Sequence, residues 1–254
     1  MHFHLPKPIH GWREFLGEIA IIVVGVLIAL GAEQVVETFH LRRETDEAMG
    51  GVRAELGLDA GVFEERAAVQ PCLDRRLEEL GVLISRARQS HQLPDIGEIG
   101  RPPIRPIQAT AWTSATSRGL VGKFPEAERN TLQAHYSQSA TYSADVQNEQ
   151  ETWATLRMLE HQPGNIDSSL LADAVITLER LRFQSWLNGL NANQLFASIR
   201  PLGVATSYEI LVEPGQRIDR ATLLQRVQAR PVCGPLLVND KPFEPQGPGR
   251  PIHS

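Results

Sequence analysis

Hydrophobic and polar positions are distributed very unevenly along this chain. From Phe15 to Val36 it reads FLGEIAIIVVGVLIALGAEQVV, with an unbroken apolar block from Ile19 to Ala32. A helix rises about 1.5 Å per residue, so Phe15 to Val36 extends about 33 Å, enough to cross a hydrocarbon core roughly 30 Å thick. Glu18 and Glu33 then fall near opposite headgroup layers. Trp12 and Arg13 precede the run and Phe39, His40, Arg42 and Arg43 follow it, which gives the aromatic and cationic flanks of two interfaces. The pattern predicts a transmembrane helix over 15–36 behind a tail at 1–14. A buried helix of a soluble domain and a cleaved signal peptide, with Ala29 and Gly31 as its small residues, are the other readings. Glu18 within the apolar region and the periodic sequence after Gly31 favour an uncleaved signal anchor.

Beyond the span the apolar positions recur at helical steps. Met49, Val52, Leu56 and Phe63 make a stripe through Glu33 to Val69, weakened only at Gly50-Gly51, so the transmembrane helix is expected to run on into this segment. Pro71 marks a boundary, and Leu73, Leu77, Leu80 and Ile84 resume the stripe from Cys72 to Arg88. Prolines 94, 102, 103 and 106 with Gly97 and Gly100 predict a connecting loop over 89–107, the expected hinge. A short helix over Ala109 to Leu120 should precede a long one that starts near Pro125 and ends before the turn His161-Gln162-Pro163-Gly164-Asn165. Asp167 suits the cap of the next helix, whose stripe is Leu171, Ala174, Leu178 and Leu181 and is expected to continue through Phe183, Trp186 and Phe196 to Arg200. Ser207 to Val212 reads as a short strand, Ala221 to Gln228 as a last helix, and 231–254 as an irregular proline-rich tail. The expected fold is mainly α: a transmembrane helix continuing into a membrane-anchored helical bundle over 37–230, with little or no sheet.

Within the span, Glu18, Ile22, Gly25, Ala29 and Ala32 recur at three- and four-residue steps and line one side. Small residues allow close helix approach, so this face suits self-association or another membrane helix, with a passive lipid anchor as the alternative. The succession Gly17-Glu18-Ile19, five residues, Gly25, one residue, Leu27-Ile28-Ala29-Leu30 resembles the amino-terminal anchor of a family of bacterial single-pass inner-membrane proteins of about this length. His10-Gly11-Trp12-Arg13-Glu14-Phe15-Leu16 is similar to the alphaproteobacterial variant of that anchor. The resemblance is strong over roughly the first 40 residues. Further on it rests on Trp112, Arg118-Gly119-Leu120 and Tyr136. It implies an anchor, a long helix and a helical soluble region, and it carries no activity, because the family has none established.

The net charge of −5 comes without a basic stripe, which argues against a nucleic-acid partner. Lys7, Arg13 and the terminal amine nearly balance Arg42, Arg43 and the more distant Arg53 across the span, so charge does not set orientation. A short leading segment with a long following region favours the bulk of the chain outside the inner membrane, in the periplasm. Cys72 and Cys233 form no C-x-x-C pair. They read either as one structural disulfide or as two buried thiols.

Sites of chemistry are sparse. Ser117-Arg-Gly-Leu-Val-Gly-Lys-Phe124 superficially resembles a phosphate loop but lacks the first glycine and the metal-binding hydroxyl. His2, His4 and His10 have no carboxylate or thiol to complete a metal site. Glu64-Glu65 and Glu78-Glu79 read as solvated faces. Trp112, Trp153 and Trp186 read as core anchors on three helices. The hydroxyls around Trp112, chiefly Thr113 and Thr116, mark the best place for a small-molecule pocket. No cofactor is expected. The sequence therefore points to a non-enzymatic binding or interaction module, with a structural subunit of a membrane complex, or an enzyme without a recognisable motif, as alternatives.

Overall fold

The structure is a computed structural model and describes residues 11–211, 216, 218–238 and 241–242. It is mainly α. A single helix, α1 (Trp12–Ser90), carries the apolar run and continues without a break into the folded part of the chain. Its N-terminal third is long and apolar enough to cross a membrane, and none of that apolar window is buried. From Val52 onward the same helix is the spine of the bundle, with Val52, Leu56, Val69, Leu73, Leu80 and Ala87 fully buried.

Pro71 does not end a helix, contrary to the expectation. Its ring costs one backbone hydrogen bond, about 3 kcal/mol in an isolated helix. Here Pro71 faces solvent, while Val69, Cys72 and Leu73 on either side are packed into the core. Tertiary packing holds both flanks in one line and outweighs the local penalty. Gly50-Gly51 is absorbed in the same way.

After α1, His91 takes a left-handed conformation (φ 53°) and the chain turns back. Gln92–Leu93 (β1) pairs antiparallel with Gly164–Asn165 (β2), a two-residue clasp between the end of α1 and the turn after the third helix. Residues 94–109 have no regular structure, as their prolines require. The segment expected to be the hinge is packed along the bundle. Leu93, Ile96 and Ile99 are buried in the main core, the Ile99 amide donates to Glu160 Oε1 (2.8 Å), and Gln150 Nε2 donates to the Pro102 carbonyl (3.0 Å). The segment is a strap laid between α1 and the helix that carries Gln150.

Helix α2 (Thr110–Ser117) leads through a 3-10 turn at Leu120–Lys123 to α3 (Glu126–Leu156), with Pro125 before its first turn and Glu126 and Glu128 on the N-terminal dipole. α4 (Ser168–Ile199) is capped by Asp167, whose carboxylate accepts from the Ser169 amide, and packs against both α1 and α3. Its buried line is Leu171, Ala174, Leu178, Leu181, Ser185, Asn188, Ala192, Leu195 and Ile199. Phe183 and Trp186 therefore lie on the opposite side and are mostly exposed, so Trp186 is not a core anchor. Trp153 is, with no exposed surface, and Trp112 is half-buried.

The rest of the chain runs along α1. The expected strand at Ser207 to Val212 is instead a 3-10 turn at Glu209–Leu211, and Val212 lies outside the described residues. α5 (Arg220–Gln228) starts at Asp219, which accepts from the Thr222 amide. The tail is ordered at its start: a turn at Pro231–Cys233 buries Val232, and Leu237–Val238 (β3) pairs with Lys241–Pro242 (β4). Residues 243–254, and the residues 1–10 that contain His2, His4 and His10, lie outside the described residues.

Candidate functional site

The residues expected to form an association face keep the relation their spacing demands. Glu18, Ile22, Gly25, Ala29 and Ala32 all sit on the exposed part of α1, and the helical repeat aligns them along one side. A Cβ built on Gly25 would meet nothing, so the shallow groove there is open. The pocket expected at Trp112 is not assembled. Thr113 and Thr116 face solvent, and the Thr116 hydroxyl donates to the Trp112 carbonyl (2.8 Å) instead of converging on the indole. The Trp112 ring stacks on Tyr136, with centroids 4.9 Å apart and planes within 10°.

Beneath that stack lies a set of polar groups on α1 that the hydropathy pattern did not disclose. Glu55 is buried. Its carboxylate accepts from the Tyr136 hydroxyl (2.7 Å) and from the Ala111 and Trp112 amides (2.7 and 3.4 Å), which fixes the first turn of α2. Asp59, one turn on and fully buried, accepts from the Gln108 amide (2.8 Å) and leaves its second oxygen without a partner. Burial, with Glu55 as a lesser cause and against the pull of the Gln108 amide, pushes the Asp59 carboxyl up to about 7. Burial likewise lowers His135 to about 4; the ring meets Ser198 Oγ (2.9 Å) and Ser139 Oγ (3.3 Å).

Farther along α1, Glu65 and Arg66 point to different neighbours. Arg66 makes a bidentate pair with Glu149 of α3 (3.0 and 3.1 Å) and donates to the Ser185 carbonyl of α4 (3.0 Å). Glu65 accepts from Arg105 of the strap (2.8 Å) and from Arg230 (2.6 Å). Glu65 is only 2% exposed, so its assignment to a solvated face is corrected. Its neighbour Glu64 is half-buried and accepts from Tyr208 and Arg220 (both 2.5 Å). Each carboxylate holds a different returning segment against α1.

Two covalent and steric features complete this recognition of the spine. Cys72 and Cys233 are joined in a disulfide, with Cα atoms 4.7 Å apart across a sequence separation of 161. Gly57 and Gly61 open a trough in which the backbone of 204–208 lies; the Ser207 amide donates to the Gly57 carbonyl (2.8 Å), and a Cβ on Gly57 would come within 2.7 Å of the Ala205 oxygen. The side chain of Arg76 has no exposed surface and donates to the Pro231 and Gly234 carbonyls (2.9 and 2.6 Å). Its pKa is lowered, chiefly by burial.

Chemically this constellation is a set of fasteners. Asp59 and Glu55 are closed off from solvent, and every polar contact they make is to a backbone amide or the Tyr136 hydroxyl. Among the described residues no three His, Cys, Asp or Glu side chains are grouped to hold a metal ion. One sequence signal could have found the cluster: Glu55, Asp59 and Arg66 fall at steps of four and seven, in register with the buried Val52, Val62 and Val69. Charges on an apolar stripe require partners. Comparison with protein-family models, with curated proteins and with solved structures finds no match to this chain.

Proposed function

We propose that this chain is a single-pass, membrane-anchored interaction module: α1 crosses the bacterial inner membrane, and the bundle stands in the periplasm as a rigid binding head. The observation that carries the reading is the continuity of α1. One helix is exposed and apolar at one end and is gripped at the other by the strap, α2, α4, α5 and the C-terminal turns. An exposed row of Val, Ile and Leu on an isolated helix is unfavourable in water and favourable in lipid. The Gly25 and Ala29 face gives the anchor a surface for a second helix, its own or another protein's. A disulfide suits the periplasm and not the cytosol. Binding, not catalysis, is the reading favoured for the head, since the buried Glu55, Asp59, Glu65 and Arg66 each hold another segment against α1.

The test is affinity capture of the tagged full-length protein from gently solubilised membranes, native sequence against Gly25→Ile with Ala29→Ile. A specific partner lost in the double variant supports assembly through the span. A partner retained assigns binding to the head. Recovery of the native protein in the soluble fraction after cell breakage defeats the anchor itself. A role in passing signals along α1 makes one more demand: a proline or glycine insertion near Thr45 must alter partner binding.

A further inference from the structure

A groove of about 560 Å³ lies where α1 leaves its apolar stretch, between that helix and the base of the bundle. Thr38, Leu41 and Arg42 form the mouth nearest the apolar run, and Met49, Phe124 and Pro125 give it an apolar floor. By helical rise Arg42 stands about 9 Å beyond Val36. Headgroup layers are roughly 5–8 Å deep on each side of the hydrocarbon, so an arginine at this height can extend back to the phosphate level.

Charge at this end of the bundle is sorted. Arg43 pairs with Glu47 (2.9 Å), Arg53 with Glu128 (2.9 Å) and Arg118 with Glu44 (3.2 Å). Arg42 and Lys123 have no ion-pair partner among the described residues, and both line the groove. Asp46 faces the same space. Once the Arg53–Glu128 pair cancels, the groove holds two cations against one carboxylate, a single net positive charge beside an apolar floor.

We infer that this groove binds the headgroup of an anionic glycerophospholipid with one phosphodiester and a hydroxylated head. Arg42 and Lys123 take the phosphate, Asp46 accepts from the head hydroxyls, and the floor, farther out along α1, meets the carbon backbone of the head. A zwitterionic lipid leaves the net positive charge unanswered. Lys123 is distant in sequence from the juxtamembrane arginines, and only the fold brings it to them. The site rests on the proposed membrane anchoring of α1.

The experiment is reconstitution of the full-length protein in nanodiscs of phosphatidylglycerol, phosphatidylethanolamine and phosphatidylcholine in equal amounts, followed by native mass spectrometry of the lipids retained on the protein. Phosphatidylglycerol is expected to be enriched about fivefold, the scale of one net cation at an anionic surface (about 1 kcal/mol). The enrichment should vanish in Arg42→Gln with Lys123→Gln, and fall in Lys123→Gln alone. No enrichment, enrichment of phosphatidylethanolamine instead, or enrichment that survives Lys123→Gln would overturn the assignment, the last reducing it to ordinary juxtamembrane attraction. Failure of the protein to enter discs at all would instead overturn the anchor reading and the site with it.

Discussion

Asp59 and His135 are buried within one region of the bundle and shift in opposite directions, with consequences that can be read against pH. The Asp59 carboxyl is raised from 3.8 to about 7, so the folded state keeps a proton that the unfolded state gives up. Its contribution is fully present below about 4 and is lost as pH rises toward 7. His135 is lowered from 6.5 to about 4, so its contribution is present above 6.5 and is lost as pH falls toward 4. Asp59→Asn keeps an acceptor for the Gln108 amide and removes the charge. Thermal denaturation should show the variant close to the native protein at pH 4 and more stable by about 1–3 kcal/mol at pH 7.5, at about 1.4 kcal/mol per pKa unit with allowance for partial relaxation. The Arg66–Glu149 pair gives a second test, because its side chains are 5% and 0% exposed. Arg66→Met alone strands a buried carboxylate and should cost about 3–5 kcal/mol in urea unfolding. Arg66→Met with Glu149→Met should cost much less, since the pair's attraction mainly offsets its own desolvation.

Glycines in α1 divide by what surrounds them. Gly50 faces open space and Gly61 faces the Ser207 carbonyl. Gly50→Ala should therefore stabilise the protein by about 0.5–1 kcal/mol through helix propensity. Gly61→Ala gains the same propensity but drives a Cβ into backbone, so it should destabilise and release the 204–208 segment to proteolysis; limited digestion followed by mass spectrometry reads this directly. This pair also marks the limit of what was legible in the sequence. The helix long and apolar enough to span, the long first helix, the caps at Pro125 and Asp167 and the last helix follow from periodicity and local chemistry, which act within a few residues. The passage through Pro71, the burial of the strap at Ile96 and Ile99, and the outward turn of Phe183 and Trp186 do not, because each is decided by a segment far away in the chain. In the candidate site the same division holds. The five positions of the proposed association face were legible as one stripe. Glu65 was not, because the Arg105 and Arg230 that bury it come from 40 and 165 residues away.

At the scale of the whole molecule, α1 is the common partner of the strap, α2, α4, α5 and the C-terminal turns, and the disulfide ties the last of these to it. Cys72→Ser with Cys233→Ser should lower stability by about 2–5 kcal/mol in denaturant titration, and hydrogen exchange should rise first around Arg76, whose guanidinium bonds the carbonyls flanking Cys233. The length of α1 has a further meaning for where the head can act. Ser90 lies 54 residues beyond Val36 on one unbroken helix, so with α1 through the bilayer the far tip of the head stands about 80 Å above the hydrocarbon core. Such a stalk works as a ruler: on the proposed anchoring, whatever meets the end of α1 at Ser90 comes from far out in the compartment, while the groove at Arg42 and Lys123 meets what lies in the same bilayer.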